Sequence, residues 1–169
     1  MKPALPYGAV AALIVIAFKL FVYFFHLQLT STGIIAGIVS IGLMAIPLYA
    51  AIKKKRDQEL GGYLSLRQGM RVGLGISAIA GIVFASFLYV YYEFIDHETS
   101  SLVLERVLAQ LREANATPEQ IEKEIAYQKD FYSPFNQAFK GGLLSILGAG
   151  FILSFICSTL LVRKGQAEN

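Results

Sequence analysis

The sequence predicts an all-α integral membrane protein, a bundle of four membrane-spanning helices with an extracytoplasmic helical hairpin between spans three and four. Two observations predict this fold class. The chain of 169 residues is 55% hydrophobic and only 16% charged, and its mean hydropathy of +0.54 is too high for an ordinary soluble domain. It also contains four apolar stretches, each close to the roughly 20 residues that a helix needs to cross a bilayer. We expect a single membrane domain over residues 1–169.

The spans are predicted from runs that carry almost no charge. In hydrocarbon, a backbone amide must find its hydrogen-bond partner within its own segment, so these runs are expected to be helices rather than strands. The first run is interrupted by Lys19. The predicted spans are residues 4–25, 34–52, 72–92 and 143–162.

Local signals predict where the second helix ends and the third begins. Gly61 and Gly62 are expected to end the cytoplasmic extension of the second helix. Ser65 followed by Gln68 is typical of a capping box. The third helix should therefore begin near Leu66, before its membrane part.

The connection after the third span predicts two short amphipathic helices, at about residues 101–115 and 118–131. Thr117, Pro118 and Gln120 are typical of an N-cap, a first helical position and a capping box. The first of these helices has an apolar stripe at helical spacing, formed by Leu104, Val107, Leu108 and Leu111. We expect this hairpin to lie on the membrane surface or at the mouth of the bundle.

Basic residues are distributed unevenly among the loops. The loop at residues 53–71 contains six of them: Lys53, Lys54, Lys55, Arg56, Arg67 and Arg71. The link at residues 26–32 contains no Lys or Arg, whereas Lys2 precedes the first span and Arg163 and Lys164 follow the last. By the positive-inside rule, both termini and the 53–71 loop are expected in the cytoplasm, as in a multi-pass protein of the plasma membrane.

The basic run Lys53, Lys54, Lys55 and Arg56 has a second interpretation. A basic cluster beside a membrane attracts anionic lipid headgroups, by about 1 kcal/mol per residue. A nucleic-acid site would need aromatic residues or a recognisable fold nearby, and the sequence shows neither. We therefore expect the anionic headgroups of a bilayer as a partner, and no nucleic acid.

Lys19 and Glu93 are the candidate functional charges within the spans. An ionisable residue in a membrane is a functional candidate whose partner must be found. Three interpretations are open: Lys19 extends to the membrane surface, it pairs with Glu93, or it contributes to transport. His26 and His97 belong near the same end, but they have no ligand-type spacing, so we expect no metal and no cofactor.

Small residues recur every four positions in the first half of the third helix, at Gly69, Gly73, Ser77 and Gly81. The fourth span repeats the spacing at Gly150, Ser154 and Ser158. Small residues let helix backbones approach closely in lipid. The pattern predicts packing of the third helix within the chain, and a seam between copies of the chain is the alternative.

Three segments carry a resemblance to a known family. They are GGYLSLRQGMRVGL, which enters a glycine-rich span, YVYYEFID at its exit, and TPEQIEKEIAYQKDFYSPF before the last span. With these segments the chain resembles the small bacterial membrane proteins of the domain-of-unknown-function 4199 family, from about Lys2 to Lys164. The resemblance implies a four-span bacterial membrane protein, and it carries no known activity or site residues.

The sequence favours a non-enzymatic accessory or scaffold protein of the bacterial plasma membrane, whose partner is another membrane protein or a second copy of the chain. The alternative is a small transporter or channel subunit. The hint for this alternative is a pair of similar helix starts. They open spans of opposite direction, as in an inverted repeat, and consist of Ser65 with Gln68 and Ser133 with Asn136. The sequence contains no nucleophile–base or metal constellation, so we do not expect an enzyme.

Overall fold

The computed structural model describes residues 4–28, 30–96 and 98–163. These residues form the helices α1 (Ala4–Phe24), α2 (Ser31–Glu59), α3 (Leu66–Ile95), α4 (Glu98–Glu113), α5 (Pro118–Phe131) and α6 (Pro134–Leu161). Four of them, α1, α2, α3 and α6, are long and apolar enough to cross a membrane. The described residues contain no strand beyond one isolated bridge, so the all-α prediction is confirmed. Lys2, His97 and Lys164 lie outside the described residues.

Three of the long helices are not regular along their whole length. In α2, regular hydrogen bonding is interrupted at Met44, because Pro47 has no N–H to offer the carbonyl oxygen of Leu43. A π-helical turn, in which hydrogen bonds reach five residues back instead of four, occurs once in each of these helices. The π-helical segments are Lys55–Glu59 in α2, Tyr91–Ile95 in α3 and Gln137–Leu144 in α6.

The helix boundaries follow the local signals in the sequence. The predicted capping box before α3 is confirmed: Ser65 Oγ accepts from Gln68 N at 3.3 Å, and Gln68 Oε1 accepts from Ser65 N at 2.9 Å. The box formed by Thr117 and Gln120 before α5 has the same two bonds. Between α2 and α3 the backbone reverses through Gly61, whose φ is 60°, in a conformation that glycine adopts without strain.

Helix α3 lies at the centre of the bundle and packs along both α1 and α6. The Ala45–Lys54 segment of α2 contacts α3 and α6, whereas the Ser31–Leu43 segment packs mainly on α1. Gly8 lies against Ile79, and Lys19, further along α1, lies against Tyr92, so α1 and α3 run in the same direction. All four long helices contribute to the main core, which contains Ala11, Ala12, Val15, Met44, Leu48, Ala51, Ile76, Ala80, Phe84, Leu88, Tyr91, Ala138 and Ile146.

The contact between α3 and α6 is made by small residues, and we call it the small-residue seam. The opposed pairs are Gly69 with Ser158, Gly73 with Ser154, Ser77 with Gly150, and Ala85 with Gly142. Each step of four along α3 meets a step of four backwards along α6, as antiparallel helices require. Gly81, the remaining member of the predicted stripe, lies against Leu143. The structure thus places all four predicted packing residues of α3 in a contact within the chain.

We call the end of the bundle at the α2–α3 loop the loop end, and the opposite end, where α4 and α5 lie, the hairpin end. At the loop end, Leu64 and Arg163 exchange two backbone hydrogen bonds of 3.1 Å, which hold the α2–α3 loop beside the end of α6. At the hairpin end, α4 and α5 pack mainly on each other. They are joined through Asn115, whose φ of 54° lies in the left-handed region.

The hairpin of α4 and α5 buries little of its own surface. No residue of α5 is buried, and the predicted stripe Leu104, Val107, Leu108 and Leu111 is only half-buried. Two further apolar side chains are largely exposed, Leu102 at 51% and Tyr127 at 58%. The hairpin therefore keeps apolar surface that neither the bundle nor the hairpin itself covers.

Candidate functional site

The candidate site is centred on Lys19, at the hairpin end of the bundle. Lys19 lies five residues before the end of α1 at Phe24, about 7.5 Å along the helix axis at 1.5 Å per residue. Its Nζ donates a hydrogen bond to Tyr92 Oη at 3.1 Å. The same Nζ lies 4.6 Å from the centre of the Tyr91 ring and 5.0 Å from that of Tyr92. The ammonium group is thus held by an aromatic wall through cation–π attraction and one hydrogen bond.

A buried carboxylate, Asp96, follows this wall. It is only 4% exposed and accepts three hydrogen bonds: from Tyr91 Oη at 2.7 Å, from Thr99 Oγ1 at 2.8 Å and from the Thr99 backbone N at 3.1 Å. Tyr91, whose ring lies 4.6 Å from Lys19 Nζ, links the ammonium group to this carboxylate. Cation–π contacts and hydrogen bonds therefore connect Lys19, the two tyrosines, Asp96 and Thr99 in one polar cluster, which joins α1 to the start of the hairpin.

The π-helical turn at the end of α3 explains how Tyr91 reaches Asp96. The backbone N–H of Asp96 bonds to the carbonyl oxygen of Tyr91 at 2.9 Å, five residues back. In a regular α-helix, residues five apart point in different directions, whereas in a π-turn they come onto the same side. Tyr91 and Asp96 can therefore bond to each other. Turns of this kind are frequent at functional sites.

Lys19 and Glu93, the two charges predicted from the sequence, are not brought together. Glu93 is exposed, and the ion pairs found among the described side chains lie elsewhere. The residues of the Tyr91–Ile95 turn that contact the Lys19 ammonium are Tyr91 and Tyr92. The Lys19–Glu93 pair, one of the three open interpretations, is thus not formed. Sequence reasoning missed that Lys19 lies against Tyr91 and Tyr92 and that Tyr91 bonds to Asp96. The spacing Asp96–Thr99 is typical of a helix start and could have indicated Asp96 as a cap of α4, but not its position near Lys19.

A cavity of about 280 Å³ opens beside Lys19, and we call it the Lys19 cavity. It exists because the Ser31–Leu43 segment of α2 packs on α1 and leaves a gap towards α3 and α6. Most of its wall is apolar, with Gln28, Ser40 and Ser145 as further polar side chains. The lining residues are Val15, Phe18, Lys19, Val22, Gln28, Gly33, Ile34, Gly37, Ser40, Ile41, Phe84, Gly141, Ser145 and Ile146.

The four residues of the basic run at the loop end differ in their contacts. Lys53 and Lys54 are exposed. Lys55 forms an ion pair with Glu59, one turn later. The side chain of Arg56 is mostly buried and forms an ion pair with Asp57 at 2.6 Å. Of the four predicted headgroup residues, Lys53 and Lys54 are thus the two best placed to meet lipid.

The four long apolar helices define the class of this protein, a multi-pass membrane protein. The family model described as "Protein of unknown function (DUF4199)" matches residues 6–163, and the chain belongs to this family. The family resemblance seen in the sequence is confirmed. Comparisons with curated proteins and with solved structures gave no match.

Proposed function

We propose that this protein is a non-enzymatic accessory or scaffold protein of the bacterial plasma membrane, which engages a membrane protein partner through the hairpin of α4 and α5. The observation that carries the proposal is the hairpin itself. Its two helices pack mainly on each other, and Leu102 and Tyr127 keep about half or more of their surface exposed. An exposed apolar surface with polar surroundings is typical of a docking site for a protein or a membrane.

The interior of the bundle supports an accessory role over a transporter. The polar cluster around Lys19 lies at the hairpin end, whereas the loop-end half of α3 is held close to α6 at Gly69 and Gly73. A transport path needs polar groups that continue through the bundle. A small transporter or channel subunit is the second candidate, and the Lys19 cavity is the observation that favours it.

We further propose that the loop end is cytoplasmic and the hairpin end extracytoplasmic. Arg163 lies beside the α2–α3 loop through its bonds to Leu64, so the basic residues on both sides of this contact share one end of the bundle. Positive charge is concentrated on the cytoplasmic side of membrane proteins. At that face, Lys53 and Lys54 would meet anionic headgroups.

Labelling of single cysteines tests this orientation. We expect a membrane-impermeant maleimide to label Gln110→Cys in intact cells and to label Gln58→Cys only after the cells are opened, both in a Cys157→Ser background. Both positions are exposed, so a difference would report the membrane side and not burial. Labelling of position 58 but not of position 110 in intact cells would reverse the orientation.

Site-specific photocrosslinking in native membranes tests the accessory role. We expect benzoylphenylalanine at Leu102, on the hairpin, to give a discrete adduct with a different membrane protein. The matched control is the same group at Ile38, a 65% exposed apolar residue of α2, which should react with lipid alone. An adduct of twice the chain mass would indicate a homo-oligomer instead, and protein adducts from Ile38 alone would contradict a role for the hairpin.

A further inference from the structure

The Lys19 cavity combines an apolar wall with one cation. Its lining is largely aliphatic and aromatic, as at Val15, Ile41 and Phe84, and its ionisable residue is Lys19. Small-molecule sites have this composition, a mainly apolar wall with a few polar groups that fix the orientation of the ligand. The chemistry that complements it is a hydrocarbon chain with an anionic end.

Two polar groups of the cavity, Lys19 and Gln28, belong to its hairpin end, whereas the Ser40 and Ser145 hydroxyls donate to the backbone carbonyls of Gly37 and Lys140. Lys19 carries three N–H donors, and among the described residues its hydrogen-bond acceptor is Tyr92 Oη alone. The oxygens of Asp96 are engaged by Tyr91 and Thr99 instead. Lys19 thus keeps donors for a further acceptor, and Gln28, on the same wall, can add an amide N–H.

The size of the cavity indicates how many hydrocarbon chains it can hold. Along α2 it extends from Gly33 to Ile41, about 12 Å at 1.5 Å per residue. Its volume of about 280 Å³ is just below the range of roughly 300–1,000 Å³ that is typical of ligand sites. These dimensions suit a single chain of medium length better than the two chains of a phospholipid.

We propose that the Lys19 cavity binds the anion of a medium-chain fatty acid. The carboxylate accepts hydrogen bonds from Lys19 and Gln28, and the chain lies between α1 and the Ser31–Leu43 segment of α2. The ligand enters from the lipid, through the gap that this segment leaves towards α3 and α6. Binding of this kind is independent of the hairpin, so it can fail or succeed separately from the proposed accessory role.

Two glycines of α2 provide a matched pair of variants. Gly37 lines the cavity, whereas Gly42, on the same helix, does not. A Cβ added at either position would have no neighbour within 4 Å, so both tolerate a side chain. Gly37→Leu should fill the cavity and prevent binding, and Gly42→Leu should leave it open.

The experiment uses the full chain in nanodiscs of phosphatidylcholine, with a decanoate that carries a photoreactive diazirine on its chain. We expect labelling of the peptide that contains Ile34 to Ile41, competed by unlabelled decanoate and not by decanol, which has the same chain without the charge. Lys19→Met should reduce labelling by about tenfold or more, as for the loss of a charge-assisted hydrogen bond. Gly37→Leu should reduce it at least as much, because the added side chain occupies the cavity. Gly42→Leu should label like the unchanged protein.

Three outcomes would overturn the proposal. Competition by decanol as strong as that by decanoate would mean that the chain alone is held. Equal labelling of Gly37→Leu and Gly42→Leu would place the probe outside the cavity. Labelling spread over lipid-facing residues such as Phe151, which is 53% exposed, would indicate bilayer partitioning, with a phospholipid tail in the cavity. If Lys19→Met does not fold, the comparison of Gly37→Leu with Gly42→Leu still tests the proposal.

Discussion

Gly73→Leu should prevent α3 and α6 from packing, whereas Gly75→Leu, on the same helix, should leave the fold intact. A Cβ at Gly73 would lie 3.2 Å from the Cα of Ser154, which is backbone, and closer still to the Ser154 side chain. A Cβ at Gly75 would have no neighbour within 4 Å. Forcing extra atoms into a packed contact costs about 1–3 kcal/mol, and more where backbones must separate. Without a hydrophobic drive between helices in lipid, this contact is not readily replaced.

The comparison between the two glycines removes the effect of helix propensity. Leucine is preferred over glycine in a helix interior by nearly 1 kcal/mol at either position, so the difference between the two variants reports the seam. Unfolding in a sodium dodecyl sulfate titration, followed by circular dichroism, measures it. Equal stability of Gly73→Leu and Gly75→Leu would show that α3 and α6 do not pack here in the membrane.

A swap across the seam provides a control for the same prediction. Gly73→Ser alone should clash with Ser154, and adding Ser154→Gly should restore one small and one larger residue at that level. Ser154 Oγ is buried without a hydrogen-bond partner in the described part of the chain, so its removal forfeits no bond. We expect the double variant to recover about 0.5–3 kcal/mol of the loss, the coupling typical of residues in contact.

The seam and the helix boundaries could be predicted because their signals are local. The capping box of Ser65 and Gln68 involves two residues three apart, and the small residues of α3 share a face simply through helical spacing. Which helix would meet that face is a tertiary question. The stripe itself left open whether Gly73 would meet Ser154 of its own chain or a second copy.

The candidate site could be predicted only in part, because its geometry depends on irregular structure. Lys19 was found from its charge in an apolar run. The link between Lys19 and Asp96 could not be predicted from the sequence. It depends on a π-helical turn that brings Tyr91 and Asp96 onto one side, and these residues carry no signal for such a turn. The cavity beside Lys19 follows from the gap that α2 leaves, which depends on how whole helices pack.

Asp96→Asn should destabilise the hairpin end, because the asparagine keeps one acceptor for Thr99 and loses the charge. The carboxylate accepts from Tyr91 Oη and from two Thr99 groups, and hydrogen bonds to a charged group contribute about 1.5–3 kcal/mol each. We expect the free energy of unfolding to fall by about 2 kcal/mol. Protease digestion should become faster within α4, whose start Asp96 holds through Thr99. An unchanged digestion rate would show that Asp96 does not anchor the hairpin.

Asp96→Asn should destabilise the protein less when the charge of Lys19 has been removed. Lys19→Met removes the cation that lies over the ring of Tyr91, whose hydroxyl donates to Asp96, and a buried carboxylate without a nearby cation is costly to keep charged. Asp96→Asn should therefore cost about 1 kcal/mol less in a Lys19→Met background than alone, a coupling typical of interacting groups. Glu93→Gln is the matched control, since Glu93 is exposed and forms no ion pair with Lys19; its effect should simply add to that of Lys19→Met. If instead Glu93 couples to Lys19 and Asp96 does not, Lys19 forms an ion pair with Glu93 in the membrane and is not linked to Asp96 through Tyr91.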